Sequence, residues 1–145
     1  MKINTLTLGL AASLPFTSLA NATTVEYWTT QTQSDRLQTI EVMADVFEAL
    51  NSGIDVKIIA VDENDMPKQI AAAAAANTLP DMIEVGSDLS LAFAEEGIID
   101  VASNTDLVKR IGKQRFYSGA LKLVESTTLN EYVSVPYSGW VQGIW

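Results

Sequence analysis

The sequence predicts an α/β fold, a parallel-rich sheet flanked by helices. Three observations carry this expectation. Strand-like and helix-like stretches alternate from Val25 onward. The stretches between them are short. Val56 to Val61 is apolar at nearly every position, as a strand covered on both faces requires. The order β-α-β-α-β with short loops leads to parallel strands joined by crossovers.

Each element has a local reason. Val25-Glu26-Tyr27-Trp28 is a short β-rich run. Leu37, Ile40, Ala44, Phe47 and Leu50 recur at steps of three and four, one side of a helix, with Ser34 or Asp35 placed to cap it. Asn51-Ser52-Gly53 stops that helix, and Val56 to Val61 is the second strand. Asp62 to Asp65 is a polar loop that can supply a cap, and Pro67 stands near the first position of the next helix. That helix, Lys68 to Ala76, contains six consecutive alanines. Alanine has the highest helix propensity and permits close packing, so the tract reads as a tightly packed helix ended by Asn77. Asp81 to Val85 is the third strand. Ser87 or Asp88 then caps a helix carrying Leu89, Ala92 and Phe93, stopped at Gly97. Leu107, Val108 and Ile111 mark one short helix, and Phe116, Ala120, Leu123 and Val124 another. Glu131 to Val135 reads as a strand, and Gly143-Ile144-Trp145 as the start of one more.

Composition narrows the chemistry. The 145 residues include no cysteine and no histidine, which excludes a zinc finger, a disulfide scaffold, a thiol nucleophile and a Ser-His-Asp triad. With 9 basic and 18 acidic side chains the net charge is −9, which argues against nucleic acid or anionic lipid held by bulk electrostatics. At 48% hydrophobic the chain is too apolar to be disordered.

Residues 1–22 read as a secretory signal peptide. Lys2 is the only charge there, Leu6 to Phe16 is a short apolar run broken by Pro15, and Ala20-Asn21-Ala22 is a cleavage pattern. The run is too short for a membrane span. Cleavage after Ala22 removes Lys2 and leaves 123 residues with 8 basic and 18 acidic side chains, a charge of −10. No cysteine follows the apolar run to carry a lipid anchor, and the lack of free thiols suits an oxidising compartment. Export to a periplasm, without membrane insertion, is expected.

In open α/β sheets ligands bind beyond the carboxyl ends of the strands. That rule selects Thr29 to Ser34, Asp62 to Asp65, Gly86 to Asp88, and Pro136 to Gln142, with Trp28 closing the first strand. Amides, hydroxyls and carboxylates beside Tyr137 and Trp140 suit an uncharged polar ligand with a flat apolar face, such as a sugar ring. The bland alternatives are a core role for Trp28 and a helix cap at Asp88. Glu84 and Asp88 as a glycosidase acid/base pair is a weaker idea. Asp62 to Asp65 lacks the glycine and terminal glutamate of a calcium loop, and no phosphate-binding glycine fingerprint occurs. No catalytic residue, metal site or cofactor is expected.

Val25 to Trp28; Phe47 followed by Asn51, Gly53, Ile54 and Val56; Gln69-Ile70 with the alanine tract; Leu79-Pro80-Asp81-Met82-Ile83 with Asp88 beyond; Ala94 to Asp100; and Val135-Pro136-Tyr137 follow one another in this order. Together they resemble the carbohydrate-binding extracellular solute-binding proteins of bacterial ABC transporters. The resemblance implies a type II periplasmic-binding-protein-like lobe, one of two α/β lobes that close on a solute and present it to an inner-membrane ABC permease. It implies binding without catalysis. It also implies ligand contacts at Thr30, Gln31, Gln33, Asp88 and Trp140, which join Trp28 and Tyr137 from the strand-end reading. Trp140 stands where relatives often carry a carboxylate, and Val85 where some carry an aromatic residue, so a maltose-like ligand is not implied.

Family members are usually much longer, so residues 23–145 are expected to form a partial, incomplete N-terminal lobe that binds sugar weakly or not at all by itself. The competing readings are a binder of polyamine, glycerol phosphate or a metal complex, a truncated product without function, and a secreted enzyme on a similar fold.

Overall fold

The computed structural model describes residues 22–126, 128 and 131–137. The signal segment up to Asn21, Trp140 and the strand start at Gly143 to Trp145 lie outside the described residues.

Three parallel strands make the central sheet, in the order β2-β1-β3. β1 (Thr23–Thr29) pairs along its whole length with β2 (Ile54–Ala60), from Thr23 opposite Ile54 to Thr29 opposite Ala60. On its other side β1 meets β3 (Met82–Ile83) through Tyr27 opposite Met82 and Trp28 opposite Ile83. The expected β-α-β-α-β order is present. The third strand is shorter than Asp81 to Val85, although the Glu84 N–H still donates to the Trp28 carbonyl at 2.8 Å and extends the alignment.

Two helices cover one face of the sheet. α2 (Met66–Ala76) and α3 (Ser87–Glu95) bury Met66, Ile70 and Phe93 with Val61, and Trp28, Ile59, Ile83, Val85 and Leu89 pack around them. Trp28, Ile59 and Ile83 are register neighbours, so the strand alternation sends all three to this side. The alanine tract is less tightly packed than expected. Only Ala73 is buried, because one helical stripe, Met66-Ile70-Ala73, meets the core while Ala71, Ala72, Ala75 and Ala76 are exposed. Asn77 ends α2 in the left-handed conformation at φ 56°, which asparagine tolerates better than most residues.

α1 (Ser34–Leu50) packs against β2, and Leu37, Ile40, Ala44 and Glu48 are its half-buried residues. The Glu48 carboxylate accepts the Val56 N–H at 2.6 Å. The expected stripe ending in Phe47 and Leu50 is therefore rotated: those two are 45% and 78% exposed. Cap positions differ from expectation at α1 and α3, while at α2 the cap falls in the expected loop. Gln33, Asp65 and Gly86 occupy the cap positions of α1, α2 and α3, and none makes a side-chain cap bond.

A second layer follows. α4 (Val101–Ile111) is capped by Asp100, whose carboxylate accepts the Ser103 N–H at 3.0 Å. A 3₁₀ turn (Lys113–Arg115) and α5 (Ser118–Leu123) lead into a short antiparallel pair, β4 (Glu125–Ser126) with β5 (Glu131–Tyr132). The strand expected over Glu131 to Val135 is thus confined to its first two residues. Val108, Leu121, Val124, Tyr132 and Val133 form a second buried cluster, and α3 closes it with Leu91 and Ala94. α3 is the shared wall of both cores.

Candidate ligand-binding site

The carboxyl ends of the three strands open into one cleft of about 220 Å³. Thr30 follows β1, Glu63 lies in the loop after β2, and Val85 and Gly86 follow β3. Met66 and Pro67 begin α2, and Asp88 and Leu89 lie in the first turn of α3. The fully buried Met66 ties the cleft floor to the sheet core. The lining has a hydroxyl, two carboxylates, an apolar strip and no basic side chain. Carboxylates accept ligand hydroxyls, a threonine hydroxyl donates and accepts, and Pro67, Val85 and Leu89 offer surface to C–H faces. The negative charge disfavours anions.

Gly86 matters to this geometry. A Cβ there would stand 2.8 Å from Asp88 Oδ1, so the absent side chain lets the Asp88 carboxylate fold back over the start of α3. An acidic group in the first turn is also favoured by the helix dipole. The cap role expected of Asp88 is not what it performs.

Beside the cleft, four neutral donors converge on Glu84. The Thr29 hydroxyl donates to Oε2, the Gln31 side-chain amide to Oε1 at 2.5 Å, and the Tyr27 hydroxyl to Oε2 at 3.3 Å. The Tyr137 hydroxyl also bonds to this carboxylate. Burial is the largest single influence on the Glu84 carboxyl and pushes its pKa up. The bonds from Thr29, Tyr137, Gln31 and Tyr27 together outweigh it and hold the group below the usual glutamate value. Burial, then the nearby Glu84 charge, raises the Tyr27 hydroxyl.

The structure distributes the described residues singled out from sequence among four places. Thr30 and Asp88 line the cleft. Gln31 and Tyr137 join Glu84 beside it. Trp28 is half-buried against the sheet core and donates its indole N–H to Glu26 at 2.7 Å, while the exposed Gln33 starts α1 and accepts the Leu37 N–H through its carbonyl. Glu63 comes from the loop Asp62 to Asp65 that the strand-end rule selects, whereas Pro67, Val85 and Leu89 as lining residues, and Glu84 as a hub, are not among the sequence expectations. The β1–β3 register is the signal that finds Glu84: Tyr27 opposite Met82 places Glu84 level with Thr29. Among the described residues no cluster of acidic side chains is arranged to hold a metal ion.

No family model matches the chain. It is 27% identical over 121 residues to YcjN of Escherichia coli (strain K12), described as an ABC transporter periplasmic-binding protein, over 83% of this chain. The chain is similar to an ABC-transporter periplasmic-binding protein. The resemblance read from the sequence is supported accordingly. The match takes in 28% of that periplasmic-binding protein's length. Among solved structures, CpMnBP1 with mannotriose bound has the same fold, at a TM-score of 0.64 and 17% identity, over 76% of this chain and 27% of that one. An α/β lobe of this kind is therefore the architecture that carries the cleft.

Proposed function

We propose that the cleft at the strand ends is one wall of the ligand site of a periplasmic solute-binding protein serving an ABC importer, and that its ligand is a neutral sugar or oligosaccharide. One observation carries this reading: Thr30, Glu63 and Asp88 gather hydroxyl and carboxylate groups around an apolar strip with no cation among the lining residues. The similarity to YcjN and the mannotriose in the structural neighbour support it. The partners are then the sugar and an inner-membrane permease, reached after export directed by residues 1–22. No catalytic step is assigned.

Titrating mannotriose into the protein while following its amide resonances tests the reading. The expectation is weak binding, on the order of millimolar, with shifts centred on Thr30, Glu63, Asp88 and Leu89. The acidic lining also favours a second ligand class, a polyamine. Saturating shifts with spermidine and none with mannotriose would establish that class instead, and silence with both would remove the cleft reading. Export is checked by intact mass: the exported protein is expected to begin after Ala22, and a retained Met1 would contradict this.

A further inference from the structure

We propose that Glu84 is the positioning residue of the cleft: by accepting from Tyr27, Thr29, Gln31 and Tyr137 at once, it fixes where Thr30 and Val85 stand without itself touching the ligand. The inference rests on the cleft reading above.

A carboxylate has about four acceptor sites, and four side chains occupy them here. With two bonds on Oε2, one on Oε1 and a further one from Tyr137, most of its acceptor capacity is used within the protein. Its partners bracket the cleft. Thr29 and Gln31 flank Thr30, and the Gln31 N–H also donates to Thr29 Oγ1 at 3.1 Å, so both neighbours of Thr30 are tied down. Val85 follows Glu84 directly and lines the cleft. Arg36 in α1 donates to Gln31 Oε1 at 3.2 Å and extends the tie to a third element. Tyr137, 61% exposed, brings in the segment that follows β5. The titratable groups facing Glu84 are the neutral hydroxyls of Tyr27 and Tyr137, and the charge of Arg36 reaches it through Gln31. A neutral amide cannot replace the carboxylate, because its NH₂ would oppose donors that need an acceptor.

Amide hydrogen exchange in Glu84→Gln tests this. The Gln31 backbone amide, held by Thr29 Oγ1, is expected to exchange about tenfold or more faster, because the Thr29 hydroxyl and the Gln31 side chain that hold this turn lose their charged acceptor. The Val61 amide, which donates to the Thr29 carbonyl within the sheet, should be unchanged. Tyr137→Phe removes one donor at an exposed site and leaves the sheet intact. It should accelerate the Gln31 amide by a smaller factor, about threefold. An unchanged Gln31 amide in both variants overturns the proposal. So does equal acceleration of Gln31 and Val61 in Glu84→Gln, which would make Glu84 a general stabiliser. The mannotriose titration of the unaltered protein is read separately. If it is silent while Gln31 responds, the ligand reading fails and the fixing of the loop by Glu84 stands.

Discussion

The two regions on either side of Asp100 are held together in different ways. In residues 22–100 a seven-residue parallel ladder does the ordering, and side chains from α2 and α3 fill the face it presents. In residues 101–137 the ladder is two residue pairs long, too short to order itself. There α4 supplies the missing bonds. The buried Thr105 hydroxyl accepts the Tyr132 N–H at 2.8 Å and donates to the Tyr132 carbonyl, and Asn104 donates to the Val133 carbonyl at 2.8 Å. Charge divides the same way. The first region has 15 acidic and 3 basic side chains, the second 3 acidic and 5 basic. The acidic half carries the cleft, so the whole-chain charge of −9 understates the field a ligand meets there.

The largest expected effect falls on the sheet region. Ile70 is fully buried at the centre of its core, and Ile70→Ala should cost about 2–5 kcal/mol in urea unfolding. Thr105→Val probes the other mode of construction. It keeps the shape but strands a buried N–H, and should cost about 1–3 kcal/mol, with loss of exchange protection concentrated at Tyr132. Equal loss of protection at Val61 would break the distinction between the two regions.

Much of this organisation is legible in the sequence, and the exceptions have physical causes. β1 and β2 are legible as β-rich and apolar runs, α2 as an alanine-rich tract, and α1 and α3 from apolar residues at helical steps. β4 does not: Glu125-Ser126 is too short for any period, and it is made a strand by Tyr132 opposite it. The caps of α1 and α3 are not legible in the sequence because Gln33 and Gly86 serve through their backbone rather than their side chains. Thr30 and Asp88 are found from the rule about strand ends. Glu84 is not, because its role depends on four side chains spread from residue 27 to 137 that only the register brings together.

Acid titration gives a smaller effect that again separates the regions. Glu84 has a folded pKa below its unfolded value, so its contribution is fully present above about pH 4.5 and is lost as pH falls through the folded value. The stability gap between the unaltered protein and Glu84→Gln should therefore close on acidification below that point, in urea melts taken at successive pH values. Glu26 and Asp100 shift in the same direction and supply a background common to both proteins. The smallest effect is expected from Lys109→Ala. Its 3.5 Å pair with Asp106 is exposed on both sides, and the unfolding midpoint should not move measurably.

The position of α3 between the two cores limits how this helix can drift over evolutionary time. Leu89 and Phe93 answer to the sheet, and Leu91 and Ala94 to the hairpin layer. Ser90 is fully buried and hydrogen-bonded to Ser134. A substitution that suits one neighbour must also satisfy the other, which leaves Ala92 and Glu95 as the exposed positions free to vary once Asp88 is reserved for the cleft. Among descendants of this chain, α3 is the segment where a change in one layer should be followed by a compensating change in the other.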